Sequence, residues 1–185
     1  AVTFLHHHRG RTVLITVDLG FNDVRPCLGY LVVDQACVAR ALGAIRIALP
    51  VLLSRLRAAG GPDLHIVGVD HYDPYLEYYI DGAAGRSFAQ ASLRIIDRLN
   101  AALNHVYAAA RVPAANVASE FASTVRRTVE LANHHRMPTD VARICTLTWM
   151  CARGPFGDNV HPNDRGYRVI AGAVAAALGT KTGGL

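Results

Sequence analysis

The sequence predicts an α/β fold: a parallel sheet with helices on both faces, built as a three-layer α/β/α sandwich. Short β-branched runs alternate with long helical patterns. Each run ends in a polar, turn-rich loop. The long stretches carry an apolar stripe at helical spacing, as helices packed on a sheet do.

Taken in order, Ala1-Val2-Thr3-Phe4-Leu5 reads as the end of a helix, so we expect a preceding segment that was removed or lies on another chain. Residues 12–17 form a β-branched strand that ends in Asp18-Leu19-Gly20-Phe21-Asn22-Asp23. A helix is expected over about 34–59, with Val38, Leu42, Ile45, Leu49, Leu52 and Leu56 on one face. Pro50 should kink or split it, and Gly60-Gly61-Pro62 should end it.

The second strand, residues 65–69, runs into the polar aromatic loop Asp70-His71-Tyr72-Asp73-Pro74-Tyr75. A second long helix covers 87–110, with Phe88, Ser92, Ile95, Leu99, Leu103 and Val106 on its stripe. Residues 116–119 are a weak third strand. Thr139 or Asp140 caps a short helix through Ile144. Residues 154–162 read as a loop, and Asn163 caps a last helix whose core face is Tyr167, Ile170, Val174 and Leu178. Residues 180–185 are a flexible Gly/Thr-rich tail, which leaves 1–179 as one domain.

Composition narrows the function classes. The balance of 19 basic and 14 acidic residues gives a net charge of +5, but the arginines are scattered and no basic run is interleaved with aromatics. A nucleic-acid groove therefore has little support. No segment reaches the ~20 apolar residues of a membrane span; the best candidate, 42–53, is interrupted by Arg46 and Pro50. We expect no signal peptide in the opening residues. The four cysteines fall into two close pairs, Cys27 with Cys37 and Cys145 with Cys151. Such local pairs suit the loop staples of a secreted protein, and four buried thiols are the alternative. Neither spacing is that of a zinc or thioredoxin motif. We expect two disulfides. His6-His7-His8 and His134-His135 read as solvated residues, and no metal is expected.

In an open parallel sheet, ligands bind beyond the carboxyl ends of the strands, and two loops stand out there. After the first strand, Gly20 permits a tight turn and Asn22 presents a side-chain amide, a suitable donor to an oxyanion. The same tetrapeptide also describes an ordinary Asn/Asp turn. Before the last helix lies Gly157-Asp158-Asn159-Val160-His161-Pro162. A histidine used as a base needs a group that fixes its tautomer, and a carboxylate three residues earlier can reach the ring. A surface Asp–His pair fits that segment as well. His71 and Tyr72, after the second strand, either line a pocket mouth or pack the loop.

Together the two loops resemble the SGNH hydrolases, also called GDSL esterases and lipases. Residues 13–24 (VLITVDLGFNDV) look like that family's third block, and residues 158–167 (DNVHPNDRGY) look like its fifth. The placement of Cys27 and Cys37 after the Asn-Asp, and of Cys145 and Cys151 before the last block, resembles secreted actinobacterial members. The resemblance runs from Val2 to Leu178. It implies that His161 is the general base and then acid, that Asp158 orients it, that Asn22 donates to the oxyanion, and that Gly20 and Asp23 shape that loop. It implies a flavodoxin-like sheet of order 2-1-3-4-5 lacking its first two strands in this chain. It also implies a secreted or cell-envelope location and no cofactor.

The family's Gly-Asp-Ser serine block is not in this sequence. Ser54, Ser87 and Ser92 fall in helical patterns, and Ser119 and Ser123 have no Gly-Asp before them. Without the central first strand, the strand at 12–17 becomes an open edge that invites pairing. We therefore expect a partner, either an N-terminal segment or a second chain, and no activity from this chain alone. The leading reading is an ester hydrolase acting through an acyl-enzyme on an ester substrate. The alternative is a pseudoenzyme or binding module for acylated carbohydrate or lipid.

Overall fold

In the computed structural model, which describes residues 1–123, 128–130, 136–157 and 159–179, the opening residues form a short helix α1 (Val2–His7). Strand β1 (Leu14–Val17) follows and leads through Gly20 into one turn of helix, α2 (Phe21–Val24). A small hairpin, β2 (Leu28–Gly29) and β3 (Val32–Val33), precedes α3 (Gln35–Gly60). Asp34 caps α3 by accepting from the Cys37 N–H at 2.9 Å. Then come β4 (His65–Val69), a 3-10 segment (Pro74–Ile80) and α4 (Gly82–Ala109). The rest comprises β5 (Ala114–Ala115), α5 (Val117–Glu120), the pair β6 (Thr128–Glu130) and β7 (Arg136–Pro138), α6 (Thr139–Leu147), β8 (Thr148–Trp149), β9 (Asn159–Pro162) and α7 (Asp164–Ala177).

The central sheet has the order β1-β4-β5. Both pairings are parallel, with Leu14 opposite His65 and Gly68 opposite Ala114. Its two faces are covered by different helices. Val17 and Ile66 share one apolar cluster with the inner faces of α3 and α4. Val67, Val69 and Ala115 share the other with Val141, Ile144 and Leu147 of α6 and Ala173 of α7. Successive side chains of a strand point to opposite faces, so β4 is apolar after the exposed His65 because it is buried on both. This is the α/β layering expected.

Gly68 shows how tightly that layer is built. A Cβ at this position would stand 2.5 Å from the ring of Tyr107. The ring lies across the strand, and its hydroxyl donates to the Val17 carbonyl at 3.0 Å, tying α4 to β1. Burial pushes that hydroxyl up to about 12, so it stays a donor at neutral pH. Gly68→Ala is expected to destabilise by roughly 1–3 kcal/mol through overpacking, read as a fall in melting temperature. Tyr107→Ala in the same chain should relieve the steric part of that cost, whereas purely additive losses would refute the packing account.

Several expectations need correction. Pro50 does not split α3, which runs through it as one helix of 26 residues. By length and composition α3 is apolar enough to cross a membrane, contrary to the reading of 42–53. Its inner face is nevertheless spent on the core, with Leu53 (1% exposed) buried where Leu52 was expected. The third strand is at Ala114–Ala115, and 116–119 instead begin helix α5, because the Asn116 side chain accepts from the Ser119 N–H. Pro138 is the N-cap of α6, which has no side-chain cap bond. The expected loop at 154–162 contains β9, paired antiparallel with β8. Tyr167 is not core but 56% exposed. His134, His135 and residues 180–185 lie outside the described residues.

Asn163 caps α7 as expected, accepting from the Arg165 and Gly166 N–H groups. Its amide also donates to the carbonyls of Thr146 and Thr148, so one side chain fastens the end of β9 to α6. Both cysteine pairs are disulfide-bonded. Cys27–Cys37 ties the turn after α2 to the first turn of α3, and Cys145–Cys151 ties α6 to the turn beyond β8.

β1 is an edge. Among the described residues nothing pairs with its outer side, and Val13 (66%), Leu14 (38%) and Leu19 (48%) remain exposed.

Candidate active site

The chain leaves β1 at Val17 and must turn at once into α2. Gly20 makes the turn at φ +111° with Leu99 and Leu103 of α4 against it, 3.1 and 3.3 Å from where a Cβ would be. A side chain there would be both strained and crowded. The turn is closed by the Asp23 N–H donating to the Gly20 carbonyl at 3.1 Å. Asn22 is left exposed on the turn, and among the described residues its amide has no hydrogen-bond partner.

The loop after β4 is pinned from α4. Asn100, buried on that helix, accepts from the His71 N–H at 2.9 Å and donates to the His71 carbonyl at 2.7 Å. His71 then reaches back toward β1. Its Nε2 bonds the Leu19 carbonyl at 3.0 Å, which can only accept, so Nε2 carries a proton; Nδ1 lies 3.4 Å from Asp18. These contacts fasten the two loops to each other. Tyr72 stacks on the buried ring of Phe121, with centroids 4.3 Å apart, and donates its hydroxyl to the Val160 carbonyl at 2.7 Å. Burial raises the Tyr72 pKa well above the usual tyrosine range, so the hydroxyl remains a donor. It holds β9 at the residue before His161.

His161 is exposed on β9. Alternation along the strand puts Asn159 on the same side, and Asn159 Oδ1 meets His161 Nδ1 at 2.6 Å and the His161 N–H at 3.0 Å. An amide oxygen only accepts, so Nδ1 bears the proton and Nε2, without a partner among the described residues, is the nitrogen that can take one. Asp158, the expected orienting carboxylate, lies outside the described residues. Asn159 was not singled out in the sequence.

These loops meet in one cleft. Gly20, Asn22, Asp23, His71, Tyr72 and His161 all line a cavity of about 280 Å³, with Tyr167 on its wall. It sits beyond the carboxyl ends of β1 and β4, where an open α/β sheet binds its ligands. An imidazole with one nitrogen committed can take a proton on the other, and a free amide can donate to a negative oxygen. No serine lines the cleft among the described residues. Ser92, for example, is buried and donates to Asp73 at 2.7 Å.

Asp70, the residue before His71, is 3% exposed and accepts from the Ala118 N–H at 2.9 Å. Burial raises its pKa; the bonds from Ala118 and Asn104 pull the other way. A carboxyl whose folded pKa is raised contributes stability that is complete below its unfolded value, about 3.9, and is lost as pH rises through the folded value. Asp70→Asn, which keeps the acceptor oxygen, should remove this fall. Urea melts across the acid range should show the wild-type chain losing stability relative to the variant as pH rises above about 4. A constant difference would exclude the effect.

A family model described as GDSL-like Lipase/Acylhydrolase family matches residues 4–169. No curated protein matches the chain, and no solved structure matches it.

Proposed function

The chain belongs to the GDSL-like lipase/acylhydrolase family, and from that premise we propose that it serves a serine-dependent carboxylic ester hydrolase working through an acyl-enzyme. Family membership supports ester hydrolysis in general. The observation that carries the finer reading is the shared cleft, in which Asn22 and His161 line one cavity.

In this reading a serine hydroxyl attacks the ester carbonyl carbon, and His161 Nε2 takes its proton. The carbonyl electrons move onto oxygen, and the Asn22 amide donates to that oxyanion. The tetrahedral intermediate collapses, the C–O bond breaks, and the alcohol leaves with the proton from His161. Water, deprotonated by the same nitrogen, attacks the acyl-enzyme, releases the carboxylic acid and restores the serine. Asp158 orients the imidazole in the family pattern. Asn159 acts on the same Nδ1.

The serine would be supplied by a segment pairing along the open edge of β1, where it would cover the exposed Leu14 and, in the loop beyond the strand, Leu19. Burying these apolar groups gives such pairing a hydrophobic driving force. The protein would be secreted or held in the cell envelope, a setting with which its two disulfides are compatible.

A second reading is favoured by one observation, the lack of a serine among the described cleft residues: a binding module for acylated carbohydrate or lipid. Treating the protein isolated from its native source with a fluorophosphonate probe separates the two. Labelling of a serine on a segment that co-purifies with this chain is expected. Absence of any labelled serine, with no turnover of short-chain aryl esters, would leave the binding module.

A further inference from the structure

A second, larger groove lies at the other end of the sheet. Its walls come from the outer turns of α3 and α4, the loop before β1 and the loop before β4, so it opens at the amino ends of the strands and shares no residue with the cleft. Its volume is about 800 Å³, within the range of ligand sites in general.

The groove combines two features. Three guanidinium groups line it, those of Arg9, Arg46 and Arg57, and no carboxylate is among its lining residues. One of the three is held in place by a hydrogen bond. Arg57 donates to the Ala110 carbonyl at 2.9 Å, and Arg9 lies over Gly61, where a Cβ would stand 3.1 Å from its Nε. The rest of the lining is mostly apolar, including Pro50 of α3 and Val106 and Ala109 of α4, with Ser54 and His105 as its other polar side chains. With only Ser54 and His105 added to the arginines as polar side chains among its lining residues, a sugar or nucleotide lying there would leave most of its polar groups without partners, at a cost. An alkyl chain would not.

We propose that this groove binds a single-chain anionic amphiphile, with the acidic head between the arginines and the alkyl chain along the floor of Pro50, Val106 and Ala109. Carboxylate, phosphate and sulfate heads share the chemistry that arginine recognises. The proposal does not depend on the reading of the cleft.

The test is calorimetric titration of the full chain with sodium dodecanoate below its micellisation threshold. Acetate serves as a head without a chain, and dodecanol as a chain without a charge. Saturable binding of dodecanoate is expected, with both controls weaker by about tenfold or more, as loss of a charge-assisted contact or of chain burial requires. Arg46→Glu, which reverses one charge at an exposed position, and Ala109→Trp, which fills the floor, should each weaken dodecanoate by a similar factor without lowering the melting temperature. Equal affinity for acetate or for dodecanol would overturn the proposal. So would dodecanoate binding that both variants leave unchanged.

Discussion

Replacing His161 by alanine in the complete protein is expected to lower turnover of a short-chain aryl ester by at least about 10³-fold. The loss should fall on kcat rather than KM, because the imidazole moves a proton and contributes little to holding the ester. The fold should be indifferent. His161 is exposed, and its backbone N–H, which donates to Asn159 at 3.0 Å, survives the substitution. Fluorophosphonate labelling should slow in parallel, because the same base activates the serine. A variant that keeps turnover within tenfold of wild type, with an unaltered melting curve, would remove His161 from the chemistry. The Asn159 contact makes a secondary point testable. Asn159→Ala should lower kcat less than His161→Ala does and distort its pH profile, because it frees the tautomer without removing the base.

Much of the fold was legible because it rests on burial. β4 reads as a strand from sequence since it is apolar at four of its positions, and it is apolar because helices cover both faces. The stripes of α3 and α4 were visible for the same reason. β5 was not, since Ala114 and Ala115 have little strand preference of their own; the Gly68 N–H donating to the Pro113 carbonyl at 2.9 Å helps fix that pairing. β9 was hidden by the polar, proline-containing composition of its segment, and it exists through pairing with β8. Tyr167 keeps the helical spacing of the core stripe yet stands on the cleft wall, 56% exposed.

The residues of the candidate cleft were legible in a different way. Gly20, Asn22 and His161 stand out through residue type, order and position after a strand or before a helix, which local sequence carries. What holds them does not show there. Asn100 grips His71 from 29 residues away, and Tyr72 reaches Val160 from 88. Such contacts leave no periodic trace. Asn159 is hidden for a simpler reason: a carboxylate at 158 is by residue type the better partner for an imidazole, although alternation along a strand puts residue 159 on the same side as 161.

Asn22→Ala is expected to lower kcat by about 10²- to 10³-fold, or roughly 3–4 kcal/mol of transition-state stabilisation, with little change in KM. The reasoning turns on when the amide is needed. In the free protein Asn22 is exposed on a turn already set by Gly20 and by the Asp23–Gly20 backbone bond. Removing its side chain should therefore shift stability by no more than about 0.5 kcal/mol. Its N–H becomes valuable when the carbonyl oxygen gains charge, so the loss should appear in the rate and not in ground-state binding. Asn22→Asp should be at least as harmful as alanine, because a carboxylate accepts where a donor is required and repels the oxyanion. The double variant with His161→Ala should lose less than the product of the two single losses, since residues acting in one step are not additive. If Asn22→Ala instead raises KM and spares kcat, the amide holds the ester rather than its intermediate, and the oxyanion role passes to another donor.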